Sequence, residues 1–542
     1  MANAAPDVVL VHAKLFGAAP NADALAIAGR RITAIGSTRE IAELAGPRTR
    51  VIDAEGRLVI PGITEAHAHI QPPLPGQSIA VPGEQSPDPT ADELIARIKA
   101  AAASGEGWIT GPIGPTIASD ALNWRDRLDA ASPARPVFLH AWWGHGTLVN
   151  SAALRALHID DSTRDPPGGW YGRDALGRLD GRLYEAAEVA AMRAIAPADQ
   201  VARLSSAFGA AQKAYLRWGV TSVHDMANAA SLAETIAALR ASHPQIHITI
   251  YAWGSDGGPL DHIWNDVDRV RNLPPRVRIG GTKWVLDGSP LERNAFEMRD
   301  YADRPGWRGR SNFTDAELRA IFTTVLHRRE GVALHIAGEA ETELVLDAMQ
   351  AVAGPAKWRG KRVRFEHGGH LTPELLARAR QLGVMVVQNP LHFDDVRDGR
   401  GLSLTHARKD PLQTLLNEDV PLAFGSDVAF GSDAGGAAAN PFLNMMLAVQ
   451  YPANPVESLS REQALEAYTA GGAYAEGEER TRGRLAVGMD ADLAVLSQDI
   501  LESPLATLPG TRSILTIVDG DVVYEETPET LGLDRKAVSD LR

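Results

Sequence analysis

Sixteen histidines are spread over the 542 residues, and several stand where they could share a metal ion. His67 and His69 close the run RLVIPGITEAHAHI (57–70). Side chains alternate across a β-strand, so residues two apart point to one face, and two imidazoles there can bind one cation. The pair alone says little, because random placement of 16 His in 542 residues gives about half of one such pair. The rest of the set carries the weight. Lys283 lies in RIGGTKWVLDG (278–288), His335 in GVALHIAG (331–338), His367 in KRVRFEHG (361–368), and Asp427 ends VPLAFGSD (420–427). Each falls in or near the end of an apolar run, where a charged or ligating group loses hydration unless it finds a partner. Imidazole and carboxylate suit zinc-like ions, and three or four of them with one open position define a catalytic site. Singly, each residue has a plainer reading: a strand-end His as a hydrogen-bonded rim residue, Lys283 as a snorkelling amine, Asp427 as a helix N-cap. Their shared place at strand ends outweighs those separate readings.

The elements that must position these residues are short apolar runs, most followed by a helical pattern, as a parallel α/β sheet requires. Further runs at GVTSVHDM (219–226), IHITIYAW (246–253) and GVMVVQN (383–389) bring the number to about eight. Eight strands close a (β/α)₈ TIM barrel, and the C-terminal strand ends of such a barrel face its site. Thr314-Asp315-Ala316-Glu317 and Thr372-Pro373-Glu374 read as helix starts. Residues 71–200 are too many for a simple strand-to-helix connection and read as an inserted subdomain over the mouth. β-rich texture at residues 6–58 returns only near the end, where Asp519-Gly520-Asp521 marks a hairpin. The predicted architecture is therefore a barrel over 59–481 carrying that insertion, plus a small β-sandwich built from both termini, 1–58 and 482–530.

Composition narrows the function. Hydrophobic residues at 44% and charged residues at 23% fit a globular chain rather than a disordered one. A net charge of -14 without a Lys/Arg run argues against nucleic acid or an anionic membrane surface as partner. The absence of Cys excludes disulfides, thiolate ligands and a Cys nucleophile. The N-terminus lacks the pattern of a secretory signal, and no run reaches the roughly 18 apolar residues of a membrane span. A cytoplasmic location is the default expectation, with a homodimer admitted as the assembly.

On Pro61 to His69 (PGITEAHAH), Lys283 in KWVLDGS, His335 in ALHIAGE, Glu366-His367 in RFEHG and Gly425-Ser426-Asp427, the chain resembles the amidohydrolase superfamily over nearly its whole length. His145 and Asn150 in GHGTLVNSAAL, DPPGGW, and Gly181 to Glu185 resemble the branch that includes N-substituted formamide deformylases. The resemblance implies that His67 and His69 hold one metal ion, with Asp427 as a further ligand, and that His335 and His367 hold a second. It implies that Lys283, carboxylated by CO₂, bridges the two; an unmodified ammonium cannot ligate. Three positions depart from the family pattern: Glu65 stands where Asp is usual, Glu339 follows the fifth-strand Gly where Asp is common, and Ala429 replaces a Pro.

The implied cofactor is one or two divalent ions of the Zn²⁺ type. A metal-bound water, its pKa lowered from about 15.7 towards 7, is the nucleophile. Asp427 takes its proton and passes it to the leaving nitrogen, and His367 or His224 stabilises the oxyanion. His224, ending the second strand run, is expected to face the mouth, with a structural role as the alternative. Arg293 matches a family position and is read either as a clamp on a substrate carboxylate or carbonyl, or as an ion-pair partner of Glu292 or Asp287. His145, Trp143, Trp253 and Trp284 are the candidate pocket residues, suited to an aromatic or apolar amide, the alternative being that the Trp residues pack the insertion onto the barrel. The expected activity is hydrolysis of a C–N bond in a small non-peptide amide, an N-substituted formamide or acyl amine. Deamination, opening of a cyclic amide, a metal-dependent lyase and a binding protein with a decayed site are the alternatives.

Overall fold

The structure, a computed structural model, describes residues 5–82, 84, 87–120, 122–368, 371–393, 410–430, 438–451 and 454–526. Its central sheet is parallel throughout and is formed by β1 (Ile63–Ile70), β2 (Val220–Ala227), β3 (His247–Trp253), β4 (Val277–Val285), β5 (Gly331–His335), β6 (Val363–Glu366), β7 (Met385–Gln388), β8 (Leu422–Phe424) and β9 (Val428–Phe430). The order is β8-β7-β6-β5-β4-β3-β2-β1-β9. β8 pairs with β7 and β9 with β1, and only Gly425-Ser426-Asp427 separates β8 from β9. The two sheet edges therefore belong to one interrupted strand, and the sheet curls back on itself as a TIM-barrel-like α/β fold.

Helices follow the strands where the sequence places them. Thr314 caps Asp315–His327 in a reciprocal box with Glu317, and Thr372 caps Pro373–Leu382 with Pro373 in the first turn. Outward strand residues such as Ile248, Trp284, Leu334, Phe365 and Val386 join helix residues such as Phe208, Phe322 and Leu376 in one large apolar cluster. Burial against those helices removes water from both layers, the main force holding such a fold together.

The first strand run divides in two. Leu58–Pro61 joins a second sheet, whereas Ile63–Ile70 enters the barrel. The chain turns at Gly62, where a Cβ would lie 2.1 Å from Thr221 Oγ1, so a side chain is excluded there. That second sheet has the order Lys14–Leu15, Leu58–Pro61, Leu493–Leu496, Ser513–Val518, Asp521–Glu525. It shares an apolar core (Leu10, Ile27, Val59, Leu493, Ile517) with a four-stranded sheet of residues 8–53. Asp519 (φ 52°) and Gly520 (φ 83°) form the tight turn of the final hairpin, the left-handed pair that Asp-Gly favours. Between β1 and β2 a six-stranded mixed sheet spans Gln77–Ser78 to Leu179–Glu185. Among the described residues no helix is long and apolar enough to cross a membrane.

Candidate metal centre

The break between β8 and β9 places Asp427. Its backbone adopts φ 56°, and its N–H donates to His67 O at 2.8 Å. Glu65 Oε1 accepts from the backbone N–H groups of Ser426 (2.7 Å) and His67 (3.1 Å), tying β1 to the break. Burial pushes the Glu65 carboxyl up to about 7. Gly425 permits this approach, because a Cβ there would lie 2.3 Å from His67 N.

Asp427 Oδ1 lies 3.2 Å from both His67 Nε2 and His69 Nε2. Its Oδ2 lies 3.5 Å from His392 Nε2 and 3.8 Å from His367 Nδ1. Lys283 Nζ, on β4, is 3.4 Å from His67 Nε2. The His335 ring centre lies 4.6 Å from that of His367, which in turn is 5.2 Å from that of His67. Five of the six proposed ligands thus meet directly around Asp427 or His67, and His335 joins through His367.

The protonation states suit cation binding. Burial holds His335 and His367 well below the usual imidazole range, so both are neutral, the form that ligates. Burial also lowers Lys283 to about 8, although Glu366 and Asp427 oppose it. Asp427, despite its own burial, is held well below the carboxylate range by His67 and His367. Neighbours fix the rings: His67 Nδ1 donates to Glu366 Oε2 (2.5 Å) and His367 Nδ1 to Asn389 Oδ1 (2.7 Å). For His67 this leaves Nε2, the atom facing Asp427, as the ligating nitrogen. His69 Nδ1 is buried without a hydrogen-bond partner. His67, His69 and Asp427 offer three ligand atoms within 4.8 Å of one another, and so do His367, His392 and Asp427. Neutral imidazoles converging on a carboxylate fit a divalent ion.

Other expected site residues fall elsewhere. Trp284 is fully buried on the outer side of β4, against Trp264 and Phe313. The alternation that turns Lys283 inward turns Trp284 outward, so it does not line the pocket. His224 is also fully buried, between Arg364 Nη1 (2.9 Å from its Nδ1) and Glu476 Oε2 (3.4 Å from its Nε2). It faces the barrel interior, with Arg364 and Glu366 between it and His67, rather than the mouth. Arg293 gives its Nε to Asp303 (3.0 Å) and its Nη1 to the carbonyls of Pro290 and Leu291. It braces the loop after β4, and its ion-pair partner is Asp303 instead of Glu292 or Asp287.

Trp253 does stand at the centre, edge-on to His69 with ring centres 5.8 Å apart. The segment between β1 and β2 brings His145 to 4.4 Å from the His335 ring. His145 Nδ1 meets Glu185 at 3.0 Å; burial opposes its charge, yet Glu185, Glu292 and Glu188 lift it to about 10. Trp143 Nε1 donates to Glu292 Oε2 at 2.9 Å. Sequence reasoning missed His392 and Asn389. Both follow β7, the one expected barrel strand besides β3 to which it gave no ionisable end residue, so the same strand-end rule finds His392 three residues further on.

A TIM-barrel-like fold whose strand ends gather these imidazoles and a carboxylate defines the class, a metal-dependent hydrolase. The chain belongs to the amidohydrolase family, whose family model matches residues 50–524. It is similar to the N-substituted formamide deformylase of Arthrobacter pascens, 26% identical over 532 residues and covering 93% of this chain and 95% of the relative. It is also similar to the protein LONG AFTER FAR-RED 3 of Arabidopsis thaliana, 28% identical over 552 residues, with 94% and 91% covered. An uncharacterized metal-dependent hydrolase of Pyrococcus horikoshii shares the fold at a TM-score of 0.65 and 21% identity, with 92% of this chain and 99% of that one covered.

Proposed function

We propose that the protein hydrolyses the C–N bond of a small non-peptide amide, an N-substituted formamide or an acyl amine, with zinc held by His67, His69 and Asp427. The observation that carries this reading is the convergence of His67 and His69 on one oxygen of Asp427, both at 3.2 Å. His335, His367 and His392 stand beside them as ligands for a second ion. A bound divalent ion supplies an acidified water and polarises the substrate carbonyl. Asp427, ionised and facing the imidazoles, takes the proton from the attacking water and delivers it to the departing nitrogen. The balance is one water consumed, the C–N bond broken, and one carboxylic acid and one amine released.

Lys283 serves as ligand once its amine has added to CO₂ and lost a proton, giving a carbamate. Its lowered affinity for protons makes the reacting neutral amine accessible near neutral pH. Trp253 offers an apolar wall beside His69, which suits an aromatic amide. The name of the Arthrobacter pascens relative supports the formamide class. The test is a panel of formanilides, acyl anilides and cyclic amides assayed with and without added zinc. Release of an amine and an acid from formanilides is expected; ammonia as the product, or cyclic amides as the only substrates, would overturn the reading.

A further inference from the structure

We infer that Arg364 and Glu366 are positioning residues for the metal centre, forming with His224 and Glu476 a buried polar column that fixes His67 in its ligating orientation. The inference rests on the reading of His67 as a metal ligand. In such barrels the interior is normally filled by bulky branched side chains. Here Arg364, Glu366, His224 and Glu476 are all buried, the first three completely.

The contacts run from Glu476 up to His67, hydrogen-bonded from His224 upward and closed below by an ion-pair approach. Arg364 donates from Nε to Glu366 Oε1 (2.7 Å) and from Nη2 to Glu366 Oε2 (3.0 Å), a two-point pairing that only the planar guanidinium fork makes. Glu366 Oε2 then accepts from His67 Nδ1 at 2.5 Å. A second branch of Nη2 reaches Ala66 O at 2.6 Å, so one guanidinium steadies both the backbone before His67 and the carboxylate on its ring. Below, Arg364 Nη1 donates to His224 Nδ1 (2.9 Å), which leaves the His224 proton on Nε2, facing Glu476 Oε2 at 3.4 Å. Tyr251 closes one flank, with its ring centre 4.4 Å from the Arg364 guanidinium carbon.

The floor is anchored as firmly. Glu476 Oε2 accepts from Thr249 Oγ1 (2.8 Å) and Ser222 Oγ (3.3 Å), and Glu476 Oε1 faces Arg482 Nη2 at 3.3 Å. Its helix, Ala470–Glu476, seats under the barrel because Gly471 and Gly472 approach Leu422 O and the Thr64 side chain, where a Cβ would lie 2.1 and 2.4 Å away. Buried ion pairs seldom add stability over well-packed apolar groups. A carboxylate behind a metal-ligating imidazole fixes its tautomer and ring orientation, and its loss typically lowers metal affinity 10- to 100-fold.

The experiment titrates zinc into the metal-free full-length protein in competition with a chelator, for the wild type and Glu366→Gln, and records the melting midpoint of each without metal. The expected result is that Glu366→Gln binds zinc about 10- to 100-fold more weakly, whatever its melting midpoint. Zinc affinity within about threefold of wild type, at any midpoint, would overturn the inference, and a lowered midpoint beside it would make the column merely structural. Should Glu366→Gln fail to fold, Glu366→Asp keeps the charge opposite Arg364, falls a methylene short of His67, and carries the same expectation. A wild type that binds no zinc would instead overturn the metal-site reading itself.

Discussion

Asp427 sits in the break of the eighth strand in a left-handed backbone conformation, φ 56°, that few residues other than Gly, Asn and Asp adopt readily. Asn therefore keeps the backbone and the shape but cannot take a proton. Asp427→Asn is expected to retain its circular dichroism spectrum and to lose about 10²- to 10⁴-fold in turnover; an active variant would remove Asp427 from the proton transfer. Lys283→Met fills the same buried space without an amine to carboxylate. It is expected to bind fewer divalent ions per chain by elemental analysis, and unchanged stoichiometry would exclude a carbamate bridge. The candidate positions His67, His69, Lys283, His335, His367 and Asp427 were legible because each lies in or near the end of an apolar strand run. Arg364 was not: an Arg inside a strand reads as exposed until its partners Glu366, Ala66 O and His224 are known.

Strands and their breaks set the geometry at the next scale. Gly425→Ala would thrust a Cβ to 2.3 Å from His67 N, so β1 and the break must separate. The expected result is loss of zinc binding with the helical signal retained; normal zinc binding would show that the break tolerates displacement. Behind β1, Asp225 Oδ1 accepts from Ile70 N–H at 2.9 Å, and burial lifts its carboxyl to about 7. A folded-state pKa above the unfolded value means that this group favours folding most at low pH and loses that contribution as pH rises through about 7. Asp225→Asn keeps the acceptor without the charge. It is expected to be more stable than wild type at pH 8 by on the order of 2 kcal/mol, with the gap closing as pH falls towards about 4. Denaturant unfolding at both pH values measures this, and a pH-independent difference would contradict it. Periodicity revealed eight of the nine strands and missed Val428–Phe430 beyond the break. It ran Leu58–Pro61 and Ile63–Ile70 together, because their separate sheets and the close approach of Thr221 to Gly62 leave no local pattern. It also turned His224 to the mouth, since depth along a strand is invisible without the register that sets Glu476 beneath it.

In the whole molecule, the barrel is held between two other layers of structure. On one side the sheet from both chain ends grips it: Ser513 N–H donates to Arg217 O (2.7 Å), Thr516 Oγ1 to Leu216 O (2.9 Å), and Arg276 Nε to Asp519 Oδ2 (2.9 Å). On the other, the segment between β1 and β2 carries His145, Trp143 and Glu185 to the ligand side, beside His335 and Glu292. β-rich ends and an overlong connection were readable from the chain. Their contacts were not, because pairs such as Thr516 with Leu216 lie 300 residues apart and follow no local pattern. The proposed function depends on a cation shared by His67, His69 and Asp427. The most direct measurement is divalent-metal content and formanilide turnover of one preparation, before chelation, after chelation, and after zinc is restored. Metal and turnover are expected to vanish together and return together. Undiminished turnover in the chelated, metal-free protein would contradict the metal-dependent mechanism.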